Sequence, residues 1–206
     1  MKKKALILDL DNTIYPVSSI GEELFKPLYQ LISQSREFDG EFNQVKMEIL
    51  WRPFQYVAYD FKFSEKLTEN CLALLENTEY GQAIETFDGY PLIRRLSVKK
   101  FLVTTGFTRL QNSKVRQLGI ENDFAEIYII DPALSQMTKK DVFLKILSDH
   151  NYDTEDVLIV GDDLNSEIKA GRELGIETIL FDFRNIYMST ADLKVIRSLT
   201  EITQFL

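Results

Sequence analysis

This chain has few of the residues that would commit it to several kinds of chemistry. Its 206 residues include one cysteine, Cys71, and one histidine, His150. A lone cysteine forms no internal disulfide, and His150 is the only conceivable soft partner it could have at a metal. That usage fits a reducing cytoplasm, with Cys71 a small buried hydrophobe among Leu72, Leu74 and Leu75 and His150 a surface or capping residue. Long apolar runs are missing as well. None approaches the roughly 20 residues that a membrane span requires, and the run behind Lys2, Lys3 and Lys4 stops at Asp9, too soon for a secretory core. Basic residues are outnumbered 24 to 32, for a formal charge of −8. This argues against a general nucleic-acid surface, so any phosphate must be held locally. Repeats, low-complexity tracts and disordered linkers are absent too. What remains is an ordinary globular composition, 45% hydrophobic and 27% charged. The length suffices for one large domain, or for a core domain carrying a sizeable insertion.

Residues 5–15, Ala-Leu-Ile-Leu-Asp-Leu-Asp-Asn-Thr-Ile-Tyr, organise the rest. The first four have the short, unbroken hydrophobicity of a strand buried on both faces, and they run directly into Asp9 and Asp11. On an extended chain these carboxylates would point the same way, with Cα atoms about 6 to 7 Å apart, and such a pair calls for a cation nearby.

Residues 16–88 have a different pattern. Leu24, Phe25, Leu28, Leu31 and Ile32 recur at helical spacing, with Pro27 either kinking that helix or fixing its start. Val45, Ile49 and Leu50 predict a second helix ending near Pro53, and Ser64 is an N-cap for a third through Leu67, Cys71, Leu72, Leu74 and Leu75. Trp51, Phe54, Tyr56, Tyr59, Phe61 and Phe63 are expected to pack within this helical block, and Arg52 among them to be solvated.

From Asp88 and Gly89 onward, helix and strand alternate. A helix opens at Pro91, a strand over 101–103 ends in Thr104, Thr105 and Gly106, and a helix over 109–118 closes at Gly119. A strand over 127–130, a helix over 139–148 and a strand over 157–160 follow, the last leading into Gly161, Asp162 and Asp163. A helix over 167–174 and a final strand over 178–181 come next, and residues 191–206 read as an amphipathic closing helix. This alternation predicts an α/β fold, a three-layer Rossmann-like parallel sheet with ligands beyond the carboxyl ends of its strands and an all-helical insertion after the first.

In order, Asp9, Leu10, Asp11, Asn12 and Thr13, then Thr104, then a lysine at 139 or 140, then Gly161, Asp162 and Asp163 resemble the motifs of the haloacid dehalogenase superfamily across the whole chain. The similarity is to the subfamily with a helical cap. It implies a core domain of residues 1–15 and 89–206 and a cap of residues 16–88. It also implies that Asp9 is a nucleophile taking a phosphoryl group and that Asp11 is the general acid and base. Thr104 would hydrogen-bond a phosphate oxygen, assisted by Thr105, which stands where relatives often carry Asn. A lysine would offset the charge, Lys139 being preferred to Lys140 because it lies one helical turn before Phe143.

Asp162 resembles the first metal-binding acid of the last motif. Glu167 stands where relatives carry a second, and Asp163 is either near the metal or a helix cap. With Asp9, Asp11 and Asp162 as hard oxygen ligands, the implied cofactor is Mg²⁺. The resemblance thus implies a cytoplasmic phosphatase of a small phosphorylated metabolite, with neither nucleic acid nor membrane as partner and the oligomeric state left open. The loop after Asp11 is similar to that of pyrimidine 5′-nucleotidases, which suggests a nucleoside monophosphate. A phosphosugar mutase and a catalytically silent binding domain are the alternatives.

Overall fold

The computed structural model describes residues 2–206; Met1, part of the expected core segment 1–15, lies outside them. Strand β1 (Ala5–Leu8) is followed by a helical insertion comprising α1 (Gly21–Leu24), α2 (Lys26–Ser35), α3 (Phe42–Ile49), α4 (Phe54–Asp60) and α5 (Glu65–Glu76). Then come α6 (Tyr90–Arg95), β2 (Lys99–Thr105), α7 (Thr108–Leu118), β3 (Glu126–Ile130), α8 (Lys139–His150), β4 (Val157–Gly161), α9 (Lys169–Glu173), β5 (Glu177–Phe181) and β6 (Lys194–Ile196). The six strands form one parallel sheet in the order β3-β2-β1-β4-β5-β6. The chain leaves β1 toward one edge and returns to its other side. The ends of β1 and its neighbours are therefore the switch point where open α/β sheets bind ligands.

Alternation along the central strands separates two apolar faces, which makes three layers. Leu6 and Leu8, Leu102, and Leu158 and Val160 face α6, α7 and the insertion in one continuous core. Ala5 and Ile7, Phe101 and Val103, and Val157 and Ile159 face Val142, Phe143 and Ile146 of α8. Each fully buried valine, leucine, isoleucine or phenylalanine among them stabilises the fold by about 1.5–3 kcal/mol. Local signals fix the helices: Pro27 opens α2, and Ser64 Oγ accepts the Leu67 N–H to cap α5. Cys71 is buried, and burial pushes its thiol up to about 12. No described helix is long and apolar enough to cross a membrane.

Three expectations change. Residues 191–206 are not one amphipathic helix: β6 adds a sixth strand against β5, so residues 178–181 are not the last, and a 3₁₀ turn over Leu199–Phe205 closes the chain. The aromatic stretch holds a separate helix, α4, which buries Phe54, Val57 and Ala58 while leaving Tyr56 and Tyr59 exposed. The helix expected over 167–174 starts later, after a wide π-type turn over Leu164–Ile168 in which Ser166 leaves helical geometry.

Candidate active site

β1 stops at Leu8, and Asp9 continues alongside β4 by giving its N–H to the Val160 carbonyl at 3.1 Å. The Asp9 carboxylate accepts Lys139 Nζ at 2.6 Å. Lys139 is held there by its helix. It is the first residue of α8, whose start is fixed by the reciprocal capping of Thr138 and Asp141, and Phe143 one turn on is fully buried. Lys140, on another side of the same helix, pairs at the surface with Glu173.

The Lys139 ammonium also donates to Glu167 Oε2 at 2.7 Å, while Glu167 Oε1 accepts the Asp163 N–H at 2.8 Å. Glu167 can lie this close only because residue 161 is glycine. A Cβ there would stand 2.1 Å from Glu167 Oε1. The wide turn after Asp163 and the missing Cβ together bring the longer acid under the sheet edge, where it holds the lysine. Asp163 caps that turn, its Oδ1 accepting the Asn165 N–H at 2.7 Å.

Asp11 is bound by a different lysine. The Leu10 carbonyl accepts the N–H groups of Thr13 and Ile14, Asn12 takes a left-handed φ of 56°, and the chain turns out of the strand. Lys114 Nζ of α7 then donates to both Asp11 oxygens, at 2.8 and 3.0 Å. Gln111 Nε2, one turn before it on α7, donates to Asp11 Oδ2 at 2.9 Å and to Thr104 Oγ1 at 2.7 Å, and the Tyr15 hydroxyl donates to Asp11 Oδ1. The cation expected beside the two acids is thus met within the chain by two buried lysines, one for each. Gln111 and Lys114 escaped the sequence reading because a lysine and a glutamine on a helix pass for solvated residues. Their signal was position: they fall on the same helical face as Leu110, Val115 and Leu118, which is buried.

The electrostatics separate the acids. Burial, with the negative charges of Glu167 and Asp11, raises the Asp9 carboxyl to about 7 against the pull of Lys139. Burial opposes the charge on Asp11 too, but Lys114, Tyr15 and Gln111 outweigh it and hold that carboxyl below its ordinary value. Lys139 is kept charged, Asp9 and Glu167 more than offsetting its burial. Asp162, directly after β4, is raised well above the carboxylate range by burial and by its neighbours Glu167 and Asp9, with Lys139 the opposing charge. Three acids share one lysine here, and all donors are hard oxygens. That is the donor chemistry and the charge deficit a divalent cation such as Mg²⁺ would satisfy.

These groups form the floor of one pocket of about 170 Å³, which Thr104, Thr105, Asp162 and Asp163 also line. Its roof comes from the insertion: Phe25, Ile49, Leu50, Trp51, Phe54 and Leu75. Arg52 reaches the rim but pairs with Glu48 and Asp60. The insertion touches the floor directly. Asn12 Nδ2 donates to the Leu50 carbonyl at 3.2 Å and Asn12 Oδ1 accepts the Val17 N–H at 3.0 Å. Trp51 packs beside Phe183 of the loop after β5, with the Arg184 guanidinium over its ring. His150 lies elsewhere, paired with Glu126, the first residue of β3.

The fold and this floor define an α/β protein with a cluster of carboxylates at the carboxyl edge of a parallel sheet. The chain belongs to the haloacid dehalogenase-like hydrolase family, whose model matches residues 3–175. Among curated relatives, a glyceraldehyde 3-phosphate phosphatase of Methanopyrus kandleri is 22% identical over 85% of this chain and 82% of its own length. The HAD-hydrolase YfnB of Bacillus subtilis is 25% identical over 85% and 82%. Among solved structures, the haloacid dehalogenase-like protein SP0104 of Streptococcus pneumoniae superposes with a TM-score of 0.73 at 17% identity, covering 98% of both chains. Magnesium-bound YfnB superposes with a TM-score of 0.65 at 19% identity, over 100% of this chain and 99% of its own.

Proposed function

We propose that this chain is a Mg²⁺-dependent phosphatase that hydrolyses a small phosphomonoester through a phosphoryl group carried on Asp9. The observation behind this reading is the lysine bridge. Lys139 spans Asp9 and Glu167 beside Asp162, on the floor of a compact pocket. Asp9 attacks the phosphorus, splitting one hard displacement into two. Asp11, kept ionised by Lys114, Tyr15 and Gln111, is set as the base that takes a proton from the water freeing the phosphate; to act first as the acid for the leaving oxygen it must gain a proton, which the monoanion of the ester can bring. Thr104 Oγ1 already accepts from Gln111, so its own O–H remains to bind a phosphoryl oxygen, next to Thr105. Asp9 and Asp162 would hold Mg²⁺ with their carboxylates. Asp11 would stand beside them as the third candidate, its carboxylate already bonded to Lys114, Gln111 and Tyr15. Bound there, the ion would draw charge from the transferring group. Residues 16–88 act as the cap over the residues 1–15 and 89–206 core. The phosphatase of Methanopyrus kandleri that this chain resembles and the magnesium bound to YfnB support this reading.

The pocket narrows the substrate. A cavity near 150 Å³ takes a benzene molecule, so about 170 Å³ has room for a phosphoryl group and a short carbon chain. A nucleoside monophosphate, roughly twice the size of a triose phosphate, would extend beyond this volume, past Trp51 and Phe54 toward the rim. We therefore favour triose-sized esters over the nucleotides that the loop after Asp11 suggested.

In a phosphate-release screen with Mg²⁺, triose and other short-chain phosphates are expected to exceed nucleoside monophosphates in kcat/KM by about tenfold or more. Release of free phosphate rather than an isomerised ester separates the hydrolase from a mutase. Chelation of the metal is expected to stop the reaction and added Mg²⁺ to restore it. Activity that persists after exhaustive chelation would remove Asp162 from the site.

A further inference from the structure

On the phosphatase reading above, which this deepens, we infer that Arg184 is a positioning residue for substrate length. It holds the Trp51 indole in the roof, and that indole is the wall at which the carbon chain of the ester must stop.

Trp51 lies in the short link between α3 and α4, where the main chain is well tied. The Glu48 carbonyl accepts the N–H groups of Trp51 and Arg52, each at 3.0 Å, and the Leu50 carbonyl accepts Asn12 Nδ2. The half-buried side chain lines the pocket and also packs against the loop between β5 and β6. That loop, outside the insertion, supplies the partners of the ring. The Phe183 ring centre is 6.0 Å from that of the indole, and the Arg184 guanidinium lies over the indole, 3.7 Å from its centre. Neither residue lines the pocket itself.

The loop is a firm support. Asp182 accepts the N–H groups of Ile186 and Tyr187, each at 2.7 Å, and Arg197 Nε donates to Asn185 Oδ1 at 2.7 Å. Phe183 packs in turn on Phe87 and Phe181, with ring centres 4.8 and 5.8 Å away. Asp182, two residues before Arg184, is engaged by those amides and by Arg197, so the guanidinium takes the indole face as its partner. An indole attached to a fixed main chain can still turn about its two side-chain bonds. Phe183 and Arg184 block that turning from outside the pocket. A short ester leaves the ring where it is. A longer one meets the ring on its way to the rim, and parting the indole from Arg184 and Phe183 subtracts from the binding of its transition state.

Trp51 is the only tryptophan of the chain, so its fluorescence reports on the wall without any turnover. The wild type, Arg184→Ala, Trp51→Ala and the double variant are compared with Mg²⁺ on glycerol phosphate and adenosine monophosphate, with circular dichroism to confirm folding. Arg184→Ala is expected to raise acrylamide quenching of the indole by about twofold or more. It is also expected to narrow the preference in kcat/KM for glycerol phosphate over the nucleotide by about three- to tenfold. Trp51→Ala should narrow that preference at least as much, and adding Arg184→Ala to it should change almost nothing further. Unchanged quenching in Arg184→Ala would show that the guanidinium does not hold the ring. Raised quenching with an unchanged preference would show that the ring is no wall, and full additivity with Trp51→Ala would show that Arg184 acts elsewhere; each of these overturns the inference. Failure of the phosphatase reading is seen separately, in a wild type that hydrolyses neither ester, and the wall would then measure no substrate.

Discussion

Asp9→Asn is expected to abolish turnover, lowering kcat by at least roughly 10³-fold on every ester, because an amide oxygen lacks the charge to attack phosphorus. The same substitution should not harm the fold. In the native state the Asp9 carboxyl is raised from 3.8 to about 7, chiefly by burial. A carboxyl raised by folding is penalised when charged. That penalty is fully present above the native value, eases as the pH falls from 7, and is gone below the unfolded value near 4. Asparagine is never charged and escapes it, while Lys139 keeps Glu167 as a partner. Without metal at pH 8, the variant is therefore expected to melt at or above the wild-type temperature; at pH 4 the advantage should vanish. Phosphate release and thermal melts at the two pH values check both halves. Wild-type turnover in the variant would end the nucleophile assignment.

Lys139→Met should do the opposite, damaging fold and chemistry together. It leaves Asp9 and Glu167, 7% and 2% exposed, without a counter-charge and beside Asp162. Removing one member of a buried ion pair typically costs about 3–5 kcal/mol, which for a chain of this size lowers Tm by on the order of 10 °C. Turnover should fall by about 100-fold or more, since the lysine beside Asp9 no longer offsets the transferring charge. Because the acids still attract a cation, Mg²⁺ should raise the Tm of the variant more than that of the wild type. Differential scanning calorimetry with and without the ion measures this. A Tm within a degree or two of wild type would mean that the bridge carries little of the fold.

The contrast between these variants shows which parts of the site could be read from sequence. Asp9 and Asp162 stand directly after β1 and β4, Glu167 in the turn that follows β4, and Lys139 at the start of α8. There, the change from an unbroken apolar run to acids is visible without coordinates. β1, β2, β4 and β5 were legible for the same reason, their central residues being buried on both faces. β6 was not, because it is three residues long, its burial rises from exposed Lys194 to buried Ile196, and it pairs on one side alone. α4 was hidden by its aromatics, which suit strand and helix equally and which it divides between core and solvent. Lys114 and Gln111 were hidden for a third reason. Both lie on the buried face of α7, which the helical spacing shows, but their partner Asp11 stands 100 and 103 residues away in sequence, and no local pattern names it.

Asn12 has a further consequence. Its amide ties the Leu50 carbonyl of the roof to the residue adjoining Asp11. A guest too bulky to let that carbonyl settle would strain the turn on which Asp11 rides, so a misfit would be penalised in the rate of bond breaking as well as in affinity.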